Sequence, residues 1–328
     1  MGKVYFRRIH TLSSSISHGM SNEILSLEDA LHVYNDKSKL PTMETFLYLI
    51  EQTTKRKDLR SAKLVYAHLC KVKFEIQKLL SNDIVSMFIE CGSIATAKHL
   101  FDQWQCQDEH TCMTMIIGYV QCGQSLEALH MYQKMKNSSA FPCSSFVLVN
   151  MLKVCGKLNE VEQGQEIHIA ITRQGYEKDL FVGSTLVDMY AKCGSIFEAQ
   201  TVFNKLMGRN VVSWNALISG YAKNGFGDQA LKSFLQMKDV GVLPNPVTYI
   251  CTLKACAILG SLELGEDIYA DVRKQGLLQK NIVLGTALVD MYSKCGTMSK
   301  AQEVFHQLPE PNVVSWNALI AGYAQNGL

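Results

Sequence analysis

The chain has 328 residues, with 32 lysines and arginines against 30 aspartates and glutamates and a formal net charge of +2. That balance excludes a globally basic body, so any polyanion has to be met by a local stripe of charge. No stretch approaches the roughly 18 consecutive apolar residues of a membrane span, and six prolines among pervasive helical periodicity leave no room for a strand-rich domain.

Residues 1–22 carry Lys3, Arg7, Arg8 and five serines, with no acid before Glu23. This basic, Ser-rich, acid-poor composition lacks a continuous apolar core and reads as an organellar transit peptide, the alternative being an ordinary disordered terminus. The paired arginines favour the mitochondrion over the chloroplast. Residues 23–41 read as a degenerate helical half-repeat, opening at Ser26 on an S-x-x-D cap and followed by Pro41.

From residue 42 the chain divides into units at 42–77, 78–108, 109–143, 144–179, 180–210, 211–245, 246–281 and 282–312, of 36, 31, 35, 36, 31, 35, 36 and 31 residues. The clearest are 180–210 and 211–245, each a helix, a turn and a helix. In the first, Leu186, Val187 and Tyr190 form an apolar stripe, Gly194 ends the helix, and Ser195 with Glu198 predicts a capping box for the next. In the second, Asn224-Gly225 is the break. Met189-Tyr190-Ala191-Lys192-Cys193-Gly194 returns as Met291-Tyr292-Ser293-Lys294-Cys295-Gly296, 102 residues later, and the Cys91-Gly92 segment stands 102 residues earlier. Such a strict period predicts an all-α solenoid in which each unit touches its neighbours.

Position 20 of the units is Ala97, Ala128, Ala199, Ala230 and Ala301, followed one turn later by Phe or Tyr; Ala62, Gly164 and Gly265 take this place in the 36-residue units. A small residue beside an aromatic one is what close helix crossing requires. Position 5 is Asn82, Ser184, Asn215 and Thr286, small polar groups inside an otherwise apolar helix where propensity does not favour them. The last residue of the same units is Asp108, Asn210, Asn245 and Asn312, which N-capping alone would also explain. Position 2 is Leu79, Phe181, Val212 and Val283, with packing between hairpins as the plain alternative. Position 13 holds Lys192, Lys223 and Lys294, placed to meet phosphates or simply to complement the helix dipole; Glu90 and Gln121 stand there in the early units.

The 35, 36 and 31-residue units, with VGSTLVDMYAKCGSIFEAQTVF and NVVSWNALISGYAKNGFGDQALKSFLQMKDVGVLPN, closely resemble the plant pentatricopeptide repeat family, in its subclass built from P, L and S motifs. The resemblance implies a right-handed superhelical solenoid that binds single-stranded organellar RNA at one nucleotide per repeat. By the family's pairing of position 5 with the last position, Asn82 with Asp108 resembles a uridine pair, Ser184 with Asn210 and Thr286 with Asn312 adenosine pairs, and Asn215 with Asn245 a pyrimidine pair favouring cytidine. Leu79, Phe181, Val212 and Val283 would sandwich the bases. The 109–143 unit departs from the pattern at Met113 and Cys143, and the 36-residue units carry apolar residues near Phe46, Leu148 and Ile250, so their bases stay open.

No C-x-x-C and no His-x-Glu occurs in the chain, so the zinc signature of the deaminases that often end proteins of this subclass is not in it. No catalytic residue, metal site or cofactor is expected, and a deaminase or other editing-complex protein would act in trans or from a longer form. Cys91, Cys193 and Cys295, at the repeat period, read as buried core thiols, and His168 as packing. Residues 313–328 read as the first helix of a further unit in a truncated array. The expected function is sequence-specific RNA binding for organellar RNA processing, foremost C-to-U editing; the alternative is a protein-binding helical scaffold without base readout.

Overall fold

The computed structural model describes residues 43–71, 79–104, 109–138 and 144–328. The segments read as a transit peptide and as a half-repeat, together with Asp108 and Cys143, lie outside the described residues. Two compact units divide the chain, Met1–Phe141 and Pro142–Leu328.

In the first unit the helices are α1 (Met43–Arg56), α2 (Leu59–Leu69), α3 (Ser81–Glu90), α4 (Ile94–Trp104), α5 (Glu109–Gln121) and α6 (Ser125–Ser138). The second holds α7 (Ser145–Leu158), α8 (Val161–Arg173), a 3-10 turn at Tyr176–Lys178, α9 (Leu180–Lys192), α10 (Ile196–Lys205), α11 (Val211–Lys223), α12 (Gly227–Asp239), α13 (Pro246–Leu259), α14 (Leu262–Lys274), α15 (Ile282–Lys294), α16 (Met298–His306) and α17 (Val313–Gln325). Among the described residues there is no strand.

Within each unit the odd-numbered helices stack side by side as one layer, and each even-numbered helix packs on the helix before it and on any odd-numbered helix that follows it in the same unit. Residue patterns account for the two layers. An odd helix is enclosed on several sides, so α9 buries Val182, Leu186, Val187, Met189, Tyr190 and Ala191. An even helix is wet on one side, so α10 buries only Ile196, Ala199, Val202 and Phe203, a single stripe at helical spacing.

The turns carry the signals that the sequence announces. Gly194 lies at φ +76°, the left-handed conformation that glycine adopts without a Cβ penalty, and Ser195 N donates to Tyr190 O at 3.0 Å to close the helix end. Ala97, Ala128, Ala199, Ala230 and Ala301 are fully buried, as helix crossing requires. At Gly164 a Cβ would run into the Met189 thioether, and at Gly265 into that of Met291, 102 residues on.

Two expectations need correction. Ser195 makes no side-chain cap bond, because its backbone lies at φ −81°, ψ 64°, away from the extended geometry a capping side chain needs, and Glu198 is exposed. Cys91 is buried, but Cys193 and Cys295 are only half-buried. Each is the C-cap residue just past its helix, and the Cys193 thiol donates across to Cys155 O of the preceding unit.

Candidate nucleic-acid interface

Three helix N-termini of the second unit are closed alike. Asn210 Oδ1 accepts from Ser213 N at 2.9 Å while Ser213 Oγ accepts from Asn210 N at 3.1 Å. Asn245 and Thr248 repeat this at 3.0 and 3.1 Å, and Asn312 and Ser315 at 3.0 and 2.8 Å. The cap role weighed for these asparagines is therefore physically realised. It engages the amide oxygen and leaves the amide NH2 for other partners.

The position-5 residues are not equivalent. Asn215 Nδ2 donates to Asn245 Oδ1 at 3.1 Å, and the Thr248 hydroxyl donates to Asn215 Oδ1 at 2.6 Å, so the two asparagines paired in the sequence reading are joined directly. Ser184 is only 2% exposed and gives its proton to Leu180 O at 2.7 Å. Thr286 is half-buried and bonds Ile282 O at 2.9 Å. In the first unit Asn82 is half-buried and accepts from the Thr111 hydroxyl. Phe46 and Leu148, at the corresponding place in 36-residue units, are fully buried and belong to the core.

The position-2 residues stand clear of the core. Phe181, Val212 and Val283 are 58%, 56% and 59% exposed, and Leu79 in the first unit 65%. Phe146, Val247 and Val314 stand equally exposed in the first turns of α7, α13 and α17, and the sequence reading passed them over. Six exposed apolar side chains, one at the start of each odd helix of the second unit, make a row beside the capped asparagines. An apolar residue in a first turn resembles core in sequence; only its exposure distinguishes it. Lys153 Nζ lies 5.5 Å from the Phe181 ring centroid, so one face of that ring already carries a cation.

The position-13 lysines divide into two kinds. Lys192 pairs with Asp188 at 2.6 Å and Lys294 with Asp290 at 2.9 Å, whereas Lys223 has no ion pair among the described residues. Exposed pairs one helical turn apart are worth only about 0.3–0.5 kcal/mol and are readily exchanged for a phosphate. Lys153, Lys157, Lys192 and Lys223 line one depression, and Lys223, Lys254 and Lys294 the next. The 36-residue units thus add Lys153, Lys157 and Lys254 to the stripe, a contribution the sequence reading missed because it counted only position 13. Burial pushes the Cys251 thiol beside this stripe up, against Lys254 and Lys223, which favour the thiolate.

Stacked helical hairpins of this kind define a helical-repeat protein. The pattern described as the PPR repeat family matches residues 209–258, and that of the PPR repeat matches 110–139, 184–211, 286–313 and 314–328. One pentatricopeptide repeat-containing protein of Arabidopsis thaliana is 38% identical over 76% of this chain and 34% of its own length. A second, named mitochondrial, is 33% identical over 99% of this chain and 47% of its own, and a third, named chloroplastic, is 31% identical over 86% and 45%. The chain spans between a third and a half of these relatives. Among solved structures, the pentatricopeptide repeat protein PPR10 in complex with an 18-nt psaJ RNA element superposes with a TM-score of 0.64 at 19% identity, covering 99% of this chain and 55% of that one. A tetratricopeptide repeat protein from Parabacteroides merdae reaches 0.50 at 14% identity, over 84% of this chain and 98% of its own. The chain belongs to the plant pentatricopeptide repeat proteins.

Proposed function

We propose that this protein binds single-stranded RNA by sequence, one base per reading unit, along the face where the odd helices begin. The observation that carries this is the row of half-exposed apolar residues, Phe181, Val212 and Val283 among them, set beside capped asparagines that retain amide donors. Apolar faces stack bases whatever their identity, and hydrogen-bonding edges beside them discriminate. Lys223, flanked by Lys192 and Lys294, supplies the phosphate contact. The relatives named as mitochondrial or chloroplastic, and the RNA element in the PPR10 complex, support an organellar RNA as the ligand.

The proposed register from 5′ to 3′ is U at Asn82 and Asp108, two unread, A at Ser184 and Asn210, C or U at Asn215 and Asn245, one unread, and A at Thr286 and Asn312. The eight units from 42 to 312 are those of the P, L and S subclass, behind a transit peptide, and the bound transcript is specified for processing, foremost C-to-U editing. Deamination is done by a further domain or an editing partner in trans.

Fluorescence anisotropy of the purified chain at two salt concentrations tests this reading. RNA with the proposed bases should bind more tightly than RNA transverted at them, by roughly 1 kcal/mol or more per position. Equal affinity for all sequences would sink the base assignment, and no binding at low salt would leave the protein-binding scaffold as the better account.

A further inference from the structure

The polarity of the Asn215 side chain is dictated from the start of α13. The Thr248 N–H at that helix terminus needs an acceptor, so Asn245 must turn its Oδ1 and not its NH2 toward it, at 3.0 Å. Two donors then reach Asn245 Oδ1, Thr248 N and Asn215 Nδ2, the latter at 3.1 Å. This requires Asn215 to present nitrogen there, which leaves its Oδ1 facing the Thr248 hydroxyl at 2.6 Å. A hydroxyl has one proton, and the 2.6 Å contact to Asn215 takes it in preference to the 3.1 Å contact to Asn245. Thr248 is fully buried and contacts Asn215 across 33 residues of sequence.

With these bonds made, Asn215 retains one unspent N–H, and Asn245 its NH2. The junction therefore offers donors to whatever lies over Val212. Adjacent acceptors such as O2 and N3 of cytosine satisfy two donors, while uracil turns an N3–H donor toward them. In the first unit the hydroxyl of buried Thr111, at the corresponding place in the following unit, likewise donates to Asn82 Oδ1.

We infer that Thr248 is a specificity-determining positioning residue, whose hydroxyl locks the Asn215 amide so that it meets RNA as a donor, and that Thr111 does the same for Asn82. The inference rests on the base-reading proposed above. Without the hydroxyl, the Asn215 amide keeps only its Nδ2 bond to Asn245 Oδ1 and can pivot about it, and a donor edge that is no longer fixed in place loses its preference. A merely structural threonine would weaken binding to every RNA alike.

The test is anisotropy of the full chain carrying Thr248→Val or Thr248→Ser, with RNAs bearing C, U, A or G opposite the Asn215 unit, and circular dichroism melting to show that each variant is folded. The wild type should favour cytidine over purines at least about fivefold, Thr248→Val should reduce that ratio to under about twofold, and Thr248→Ser should keep it. A ratio unchanged in Thr248→Val, or lost equally in Thr248→Ser, overturns the role of Thr248 while base reading stands. A wild type that ignores the base at this position overturns base reading there, and the inference with it. If Thr248→Val does not fold, Thr111→Val decides by the same ratio at the Asn82 position: retained preference overturns the inference and lost preference supports it.

Discussion

Two adjacent junctions of the second unit share a cap and differ in everything attached to it. Between α9 and α11, Asn210 caps the helix, the Ser213 hydroxyl donates to Asn210 O at 2.9 Å, and Ser184 is turned inward onto Leu180 O. Between α11 and α13 the same cap geometry is joined to Asn215, and the hydroxyl of the following unit reaches out to the position-5 amide. A serine cannot span that gap, so its proton goes to its own helix; an asparagine can, and it couples the two units. The cap is thus a common platform, and the residue at position 5 decides whether it stands alone or joins a polar relay between neighbours.

The largest expected effect leaves the contrast untouched. Trp214 is buried on α11 with its ring 4.7 Å from that of Phe203 on α10, and Trp214→Ala should cost about 3–5 kcal/mol in denaturant unfolding. Next, Asn210→Ala and Asn245→Ala each remove a cap worth about 1 kcal/mol, but only the second also strips Asn215 of its acceptor, adding about 0.5–1.5 kcal/mol. Equal losses in urea titration would break the comparison. A smaller effect concerns charge: Lys223→Ala should flatten the plot of log affinity against log salt by about 0.7. Asp188→Asn, which releases Lys192, should steepen it.

The smallest effect is on pH dependence. Burial, with Lys205 nearby, lowers the His168 pKa below its ordinary 6.5, while its ring accepts or donates at 3.0 Å to the Tyr190 hydroxyl. Below pH 6.5 the unfolded chain therefore binds the proton more readily than the folded one, so stability falls as pH drops through that value and levels off beneath the folded pKa. His168→Gln should flatten the melting temperature between pH 7 and 5 if this group is responsible.

Local chemistry made much of the fold legible. Gly194, Asn224-Gly225 and the alanines at Ala199 and Ala230 act within a turn or a single crossing, so periodicity alone located the helices around them. Ser195 failed because the S-x-x-E pattern does not by itself set the backbone: the segment before α10 lacks the extended geometry that Asn210 has. At the interface, residue types and spacing picked out Asn215 and Asn245, yet not that they touch. Thr248 was invisible for a plainer reason. A threonine early in a helix is an ordinary capping partner, and its second bond, to a side chain 33 residues earlier, exists only once α11 and α13 are stacked.

The glycine clefts at Gly164 and Gly265 have a mechanical consequence. Each seats a methionine from the next odd helix, Met189 or Met291, on a surface with no side chain of its own. A thioether on three rotatable bonds adapts to a shifted neighbour more cheaply than a branched residue locked in one rotamer. At two places in the second unit, then, the stack contains a compliant bearing between stiffer joints. Bending strain within the second unit would concentrate there, sparing the bonded junction at Asn215.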